Sequence, residues 1–182
     1  MQSPIRVFTD GSCVGNGKKD AVGGYGVWFE GDVIRAIGKP ILPETSGGVV
    51  TNNRAELLAI LAAMYVLHHY EDVRQVHMYV DSQYAKLMLE KYCLVGRALP
   101  TTVKNDDILG MIGEFYKRHF LAANKSIALF HVHSHTNRTD SMSRGNQRAD
   151  ELAEQGRNEA LKIRSLQAQA HALQAHRAKA KR

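Results

Sequence analysis

Residues 5–9 (IRVFT) form a short β-rich run that stops at Asp10. Residues 11–24 hold five glycines and Asn16 without apolar periodicity, which predicts a loop or tight turn. A second strand is expected over 25–30 (YGVWFE), with Gly31-Asp32 as a hairpin turn into a third strand over 33–38. The opening third therefore reads as an antiparallel three-stranded meander.

The period then changes. From Thr51 to Tyr70 the positions Leu57, Leu58, Ile60, Leu61, Met64, Val66 and Leu67 follow a helical rhythm, with alanines between them. Thr51, Asn52 and Asn53 carry side chains suited to capping its start. A strand is expected over 74–80, ending at Asp81, then a helix over 82–92 and a loop over 94–104. A helix over 105–121, a strand over 126–132, a polar loop over 134–145 and a last helix from near Asn146 into the Ala/Gln-rich tail complete the chain. The β-α-β-α-β second half calls for parallel strands with helical crossovers. The expected fold is α/β: a five-stranded mixed sheet, three antiparallel strands then parallel, flanked by helices. One domain over 1–156 and a basic helical extension or tail over 157–182 are expected.

Composition adds mainly exclusions. No apolar run approaches the roughly 18 residues that span a bilayer, and MQSPIRVFTD lacks the profile of a secretory signal. Cys13 and Cys93 are too few for a disulfide scaffold and have no zinc-type spacing. A reducing, cytoplasmic setting, a monomer and no membrane partner are expected. Charge is more informative once located. The chain carries +6 in all, and the residues from Arg157 onward hold seven basic groups against Glu159 alone, so residues 1–156 balance. Such a tail suits a polyanionic partner, or simply keeps the protein in solution.

The candidate chemistry lies in carboxylates. Asp10 and Asp81 each end an apolar strand, where α/β sheets gather ligand sites; Glu56 lies in the first turns of a helix and Asp150 near the start of the last one. If the four converged, each pair about 4 Å apart would repel by roughly 4 kcal/mol at an effective dielectric near 20. Such a cluster either raises its pKa values or binds a hard divalent cation, Mg²⁺ or Mn²⁺ rather than zinc. The alternative is that the acids cap turns and complement helix dipoles. Position alone leaves both readings open.

The residues around the acids narrow the choice. Thr9-Asp10-Gly11-Ser12-Cys13 with Gly15-Asn16 and Gly23-Gly24-Tyr25-Gly26, Thr51-Asn52-Asn53-Arg54-Ala55-Glu56, Asp81-Ser82-Gln83-Tyr84 and Asn146-Gln147-Arg148-Ala149-Asp150 resemble the four acidic blocks of type 1 ribonuclease H, in the family's order. The resemblance implies an endonuclease that cuts the RNA strand of RNA–DNA hybrids, leaving 5′-phosphate and 3′-hydroxyl ends. It implies two Mg²⁺ ions, replaceable by Mn²⁺, held by Asp10, Glu56, Asp81 and Asp150, with Gly11 counted at the metal site. His135 matches the family's loop histidine, which assists proton transfer or product release. Ser12, Cys13, Asn16, Asn52 and Gln83 would meet the RNA strand, Asn53 the DNA strand, and Thr51, Lys104 and Asn105 a DNA phosphate. His131, His133 and His135 alternate on one strand, but a fourth zinc ligand has no candidate. Cys13 has no base beside it in the motif and is not read as a nucleophile.

Two departures bear on substrate grip. Many bacterial relatives carry a basic, tryptophan-bearing handle after the third acid; here residues 85–102 are shorter and the only tryptophan is Trp28. The polar loop over 134–145 is longer than usual and adds Arg138 and Arg144. The basic tail and these arginines are expected to replace the handle. Asp10 stands so near the start that a free-standing catalytic domain is expected. The alternatives are a hybrid-binding module without catalysis and a nuclease of the same fold acting on other nucleic acids.

Overall fold

The computed structural model describes residues 3–32, 34–132 and 140–180. Its centre is a five-stranded sheet of order β3-β2-β1-β4-β5, with β1 (Ile5–Val14), β2 (Val22–Phe29), β3 (Ile37–Ile41), β4 (Gln75–Val80) and β5 (Ser126–His131). β1 pairs antiparallel with β2, and β2 with β3, while β1–β4 and β4–β5 are parallel. The expected mixed sheet is present. Its helices are α1 (Asn52–Leu67), α2 (Gln83–Met88), α3 (Asp106–His119) and α4 (Ser141–Ala180).

Successive residues of β1 serve opposite faces, as a period of two requires. Val7 joins the larger core with Leu57, Ile60 and Met64 of α1 and with Leu109 and Ile112 of α3. Phe8 faces the other way, against Ala149 of α4, and stacks on Tyr79 with ring centroids 4.6 Å apart. The sheet is thus buried on both sides through its middle.

Five elements depart from expectation. β1 does not stop at Asp10 but runs to Val14, and β2 begins at Val22, so the expected turn is confined to 15–21 and the rest of the glycine-rich stretch is strand. Gly24 and Gly26 lie where α4 presses on β2: a Cβ on Gly24 would lie 2.6 Å from the Gly156 carbonyl carbon, and one on Gly26 would lie 2.7 Å from the Ala153 nitrogen. The expected third strand over 33–38 is displaced to Ile37–Ile41, because a 3₁₀ turn at Glu30–Asp32 opens the connection, with Gly31 at φ 82. The helix after Asp81 ends at Met88 and continues as a π-helical turn, Leu89–Cys93. The last helix starts at Ser141, five residues early, where the Asp140 carboxylate accepts from the Ser143 amide at 2.9 Å. α4 then runs unbroken past residue 156. Among the described residues no helix is long and apolar enough to cross a membrane.

Candidate carboxylate metal centre

Register brings the first and third acids together. Thr9 of β1 pairs with Val80 of β4, so Asp10 and Asp81, each one residue further on, are neighbours at the crossover between parallel strands. Asp10 is opposite Gly26 within the sheet, not at the strand end. Glu56 arrives from the second turn of α1, whose start is fixed by Thr51: its side-chain oxygen accepts from the Arg54 amide at 3.2 Å. Gly11 lets that helix approach. A Cβ there would fall 2.5 Å from the Ala55 carbonyl carbon and still closer to the Glu56 nitrogen.

As a result, Asp10, Glu56 and Asp81 each present an oxygen within 4.8 Å of the others. Asp10 and Glu56 are buried, and Glu56 Oε2 and Asp81 Oδ1 are shielded from solvent with no hydrogen-bond partner. Burial, then the Asp81 and Asp150 charges and a hydrogen bond with Asp150, push the Asp10 carboxyl up to about 8. Burial and then the Asp10 and Asp81 charges hold Glu56 well above the carboxylate range, against a lowering contribution from the Gly11 amide. Asp150 on α4 is not one of these three, and its charge bears on Asp10 from the opposite helix layer. Two like charges at 4.8 Å repel by roughly 3.5 kcal/mol at an effective dielectric near 20, so the fully ionised cluster needs a counter-charge. Unpartnered buried carboxylate oxygens, all hard donors, fit a divalent cation.

The residues expected around the acids fall into two groups. Ser12 accepts from Arg157 Nη1 at 2.8 Å, Cys13 Sγ points at the Val50 carbonyl at 3.6 Å, and Asn16 Oδ1 accepts from the Asn52 amide at 3.0 Å. Ser12 thus ties the β1–β2 hairpin to α4, while Cys13 and Asn16 tie it to the start of α1, with Asn52 and Asn53 exposed beside it. Gln83 is exposed at the first turn of α2. Lys104 and Asn105 sit before α3, and Asn105 takes a left-handed conformation at φ 60. Tyr84 organises that turn: its hydroxyl donates to the Lys104 carbonyl at 2.7 Å and accepts from Asn105 Nδ2 at 3.1 Å. Of the strand histidines, His131 meets the Asp81 carbonyl at 3.0 Å. His133 and His135, with Arg138, lie outside the described residues.

Sequence reasoning gave no role to Arg54, Asp107, Tyr84 or Arg157. Arg54 is buried, donates to Asp107 Oδ1 at 3.0 Å and Oδ2 at 2.7 Å and also to the Ser46 carbonyl, and so joins the start of α1 to the start of α3. A signal existed: a cation in the first turn opposes the helix dipole, which implies an acidic partner nearby.

Residues 2–158 match the RNase H family. The chain is 32% identical over 166 residues to "Ribonuclease H" of Nitrosomonas eutropha, covering 84% of this chain and 88% of that protein. It is 30% identical over 139 residues to "Ribonuclease H" of Wigglesworthia glossinidia brevipalpis, covering 75% and 80%. Among solved structures it resembles LC11-RNase H1 in complex with RNA/DNA hybrid, at TM-score 0.60 and 21% identity, over 86% of this chain and 99% of that one. The solution structure of the PFV RNase H domain matches at TM-score 0.58 and 20% identity, over 87% and 96%.

Proposed function

Because this chain belongs to the RNase H family, we propose that it is an endonuclease that hydrolyses the RNA strand of RNA–DNA hybrids at the carboxylate cluster, leaving 5′-phosphate and 3′-hydroxyl ends. The observation that carries the reading is the convergence of Asp10, Glu56 and Asp81 within 4.8 Å, with two of their oxygens buried and unpartnered.

Asp10, Glu56, Asp81 and Asp150 would hold two Mg²⁺ ions, for which Mn²⁺ can substitute. When bound, these ions supply the positive charge that activates an attacking water and steadies the departing 3′ oxygen. The chain's own contribution is to shape and dry the site. To serve as a ligand, Asp10 would give up the proton that burial and its neighbours hold on it. Gly11, with no side chain, keeps Glu56 within reach of β1. His135 is assigned a proton-transfer or product-release role from its place in the sequence.

Substrate selection follows from the surrounding polar groups. The Asn16 carbonyl is committed to the Asn52 amide, which leaves the Asn16 NH₂ and the Asn52 side chain for the RNA strand and its 2′-hydroxyls. Ser12, Cys13 and Gln83 lie along the same strand contact, and Asn53 beside the DNA strand. Thr51, Lys104 and Asn105 form the grip on a DNA phosphate, with Tyr84 fixing the Asn105 side chain.

The test is cleavage of one labelled hybrid against single-stranded RNA, duplex RNA and duplex DNA, with Mg²⁺, Mn²⁺ or chelator. Only the hybrid should be cut, only with metal, and Asp10→Asn should be inactive. A wild-type protein that binds the hybrid and leaves it whole in both metals would make this a binding module.

A further inference from the structure

Helix α4 is seated on the sheet for only part of its length. Gly145, Asn146, Ala149, Ala153, Gly156 and Ala160 form its buried side, and Gln167 is the last residue with partial cover. From Ala168 to Ala178 every residue is exposed. The helix nevertheless keeps its course to Ala180, an overhang of about 20 Å at 1.5 Å per residue. Its last fixings are Arg164 on the Glu44 carboxylate at 2.9 Å and a cleft shared with Asp20 and Val22. Asp20 belongs to the turn between β1 and β2, which also carries Asn16 and the exposed Lys18 and Lys19. The helix thus leaves the body at the end where Asn16 meets Asn52.

The overhang is basic and only thinly apolar. The residues from Arg157 onward account for the whole net charge of the chain. Leu166 and Leu173 are 65% and 62% exposed. At 100° per residue they share one side of the helix with Lys162 and Arg177, turned away from the sheet, the leucines between the cations. A second copy fits this stripe poorly. Pairing the leucines antiparallel sets Lys162 against the other copy's Arg177, and parallel pairing sets like against like, both repulsive. A bilayer fits poorly too, since two leucines without an aromatic anchor bury little area. A polyanion satisfies every cation at once.

We propose that residues 162–180 form a rigid basic arm that binds backbone phosphates of the hybrid away from the scissile step and lengthens the enzyme's grip on its substrate. This rests on the reading of an RNA–DNA hybrid as substrate. The arm touches no reacting atom, so it acts on KM and leaves kcat alone. Arg164 is committed to Glu44, whereas Lys162 and Arg177 are exposed; Lys179 adds a third cation in the sequence, and each phosphate contact adds about 0.9 to the salt slope of binding.

The experiment uses the full chain with Lys162→Gln, Arg177→Gln and Lys179→Gln together, on one labelled hybrid between about 50 and 200 mM salt. KM should rise about tenfold with kcat within about twofold, and the slope of log KM against log salt should shrink by about 2 to 3. A charge-keeping control, Lys162→Arg with Arg177→Lys and Lys179→Arg, should behave as wild type. If wild type cuts the hybrid but the glutamine variant keeps its KM and slope, the arm is not engaged and the proposal is overturned. If wild type cuts nothing, the functional reading has failed, and the arm is judged by equilibrium binding of the same proteins to the hybrid; equal affinities overturn it. A wild-type dimer that dissociates on Leu166→Ser with Leu173→Ser would assign the stripe to a second copy instead. Tighter binding to phosphatidylserine vesicles than to hybrid at equal salt would assign it to a bilayer.

Discussion

Burial beside Asp81 and Asp150 keeps a proton on Asp10 up to about pH 8, whereas an unfolded chain releases it near the ordinary aspartate value. The folded pKa is raised, so this contribution to stability is fully present below about pH 4 and is lost as pH rises through about 8. Without divalent ions, the melting temperature should fall across that window, by up to about 1.4 kcal/mol of stability per pH unit. Asp10→Asn removes the charge, so ion-free melting of the variant should be higher and flatter with pH, while kcat drops by at least about 100-fold. Equal pH dependence in variant and wild type would show that Asp10 is not the strained group. Gly11 makes the opposite point, since it matters by what it lacks. Gly11→Ala drives a methyl into the Ala55–Glu56 peptide and should cost about 1–3 kcal/mol or more, measured by denaturant unfolding, together with activity.

Between elements, the joint of α1, α2 and α3 is held by polar side chains that hydrophobic patterning does not register. Tyr84→Phe removes the bridge from α2 to Lys104 and Asn105, two hydrogen bonds worth about 1 kcal/mol each. KM for hybrid should rise about five- to tenfold with kcat little changed, as steady-state kinetics would show. Arg54→Met should do likewise, by freeing the start of α3 from α1. These bonds explain what the sequence could and could not tell. The order of elements followed from periodicity, and the acids from their motifs. The extension of β1 to Val14 did not, because glycine-rich strand and glycine-rich loop look alike until the helix pressing on them is known. Nor did the start of α4 at Ser141, because Asp140 is one polar residue among many until the Ser143 amide is seen on it. Arg54 was visible, but its partner lies 53 residues away.

For the molecule as a whole, the carboxylates couple ion binding to folding. They come from β1, α1, the end of β4 and α4, so no unfolded segment holds more than one of them. Divalent ions should therefore stabilise the folded chain by about 2.7 kcal/mol at 100 times the dissociation constant, or about 5–10 °C in melting temperature. Chelator should reverse the shift, and the Asp10→Asn variant should show less of it.

The seat of α4 on β2 has a last consequence, one for mutation and selection. Gly24 and Gly26 offer no functional group, yet the backbone of α4 rests on them, and Gly26 is the sheet partner of Asp10. A methyl on either lifts the helix that carries Asp150. In a library of random variants screened for lost nuclease activity, these two silent positions should be recovered as often as the carboxylates themselves.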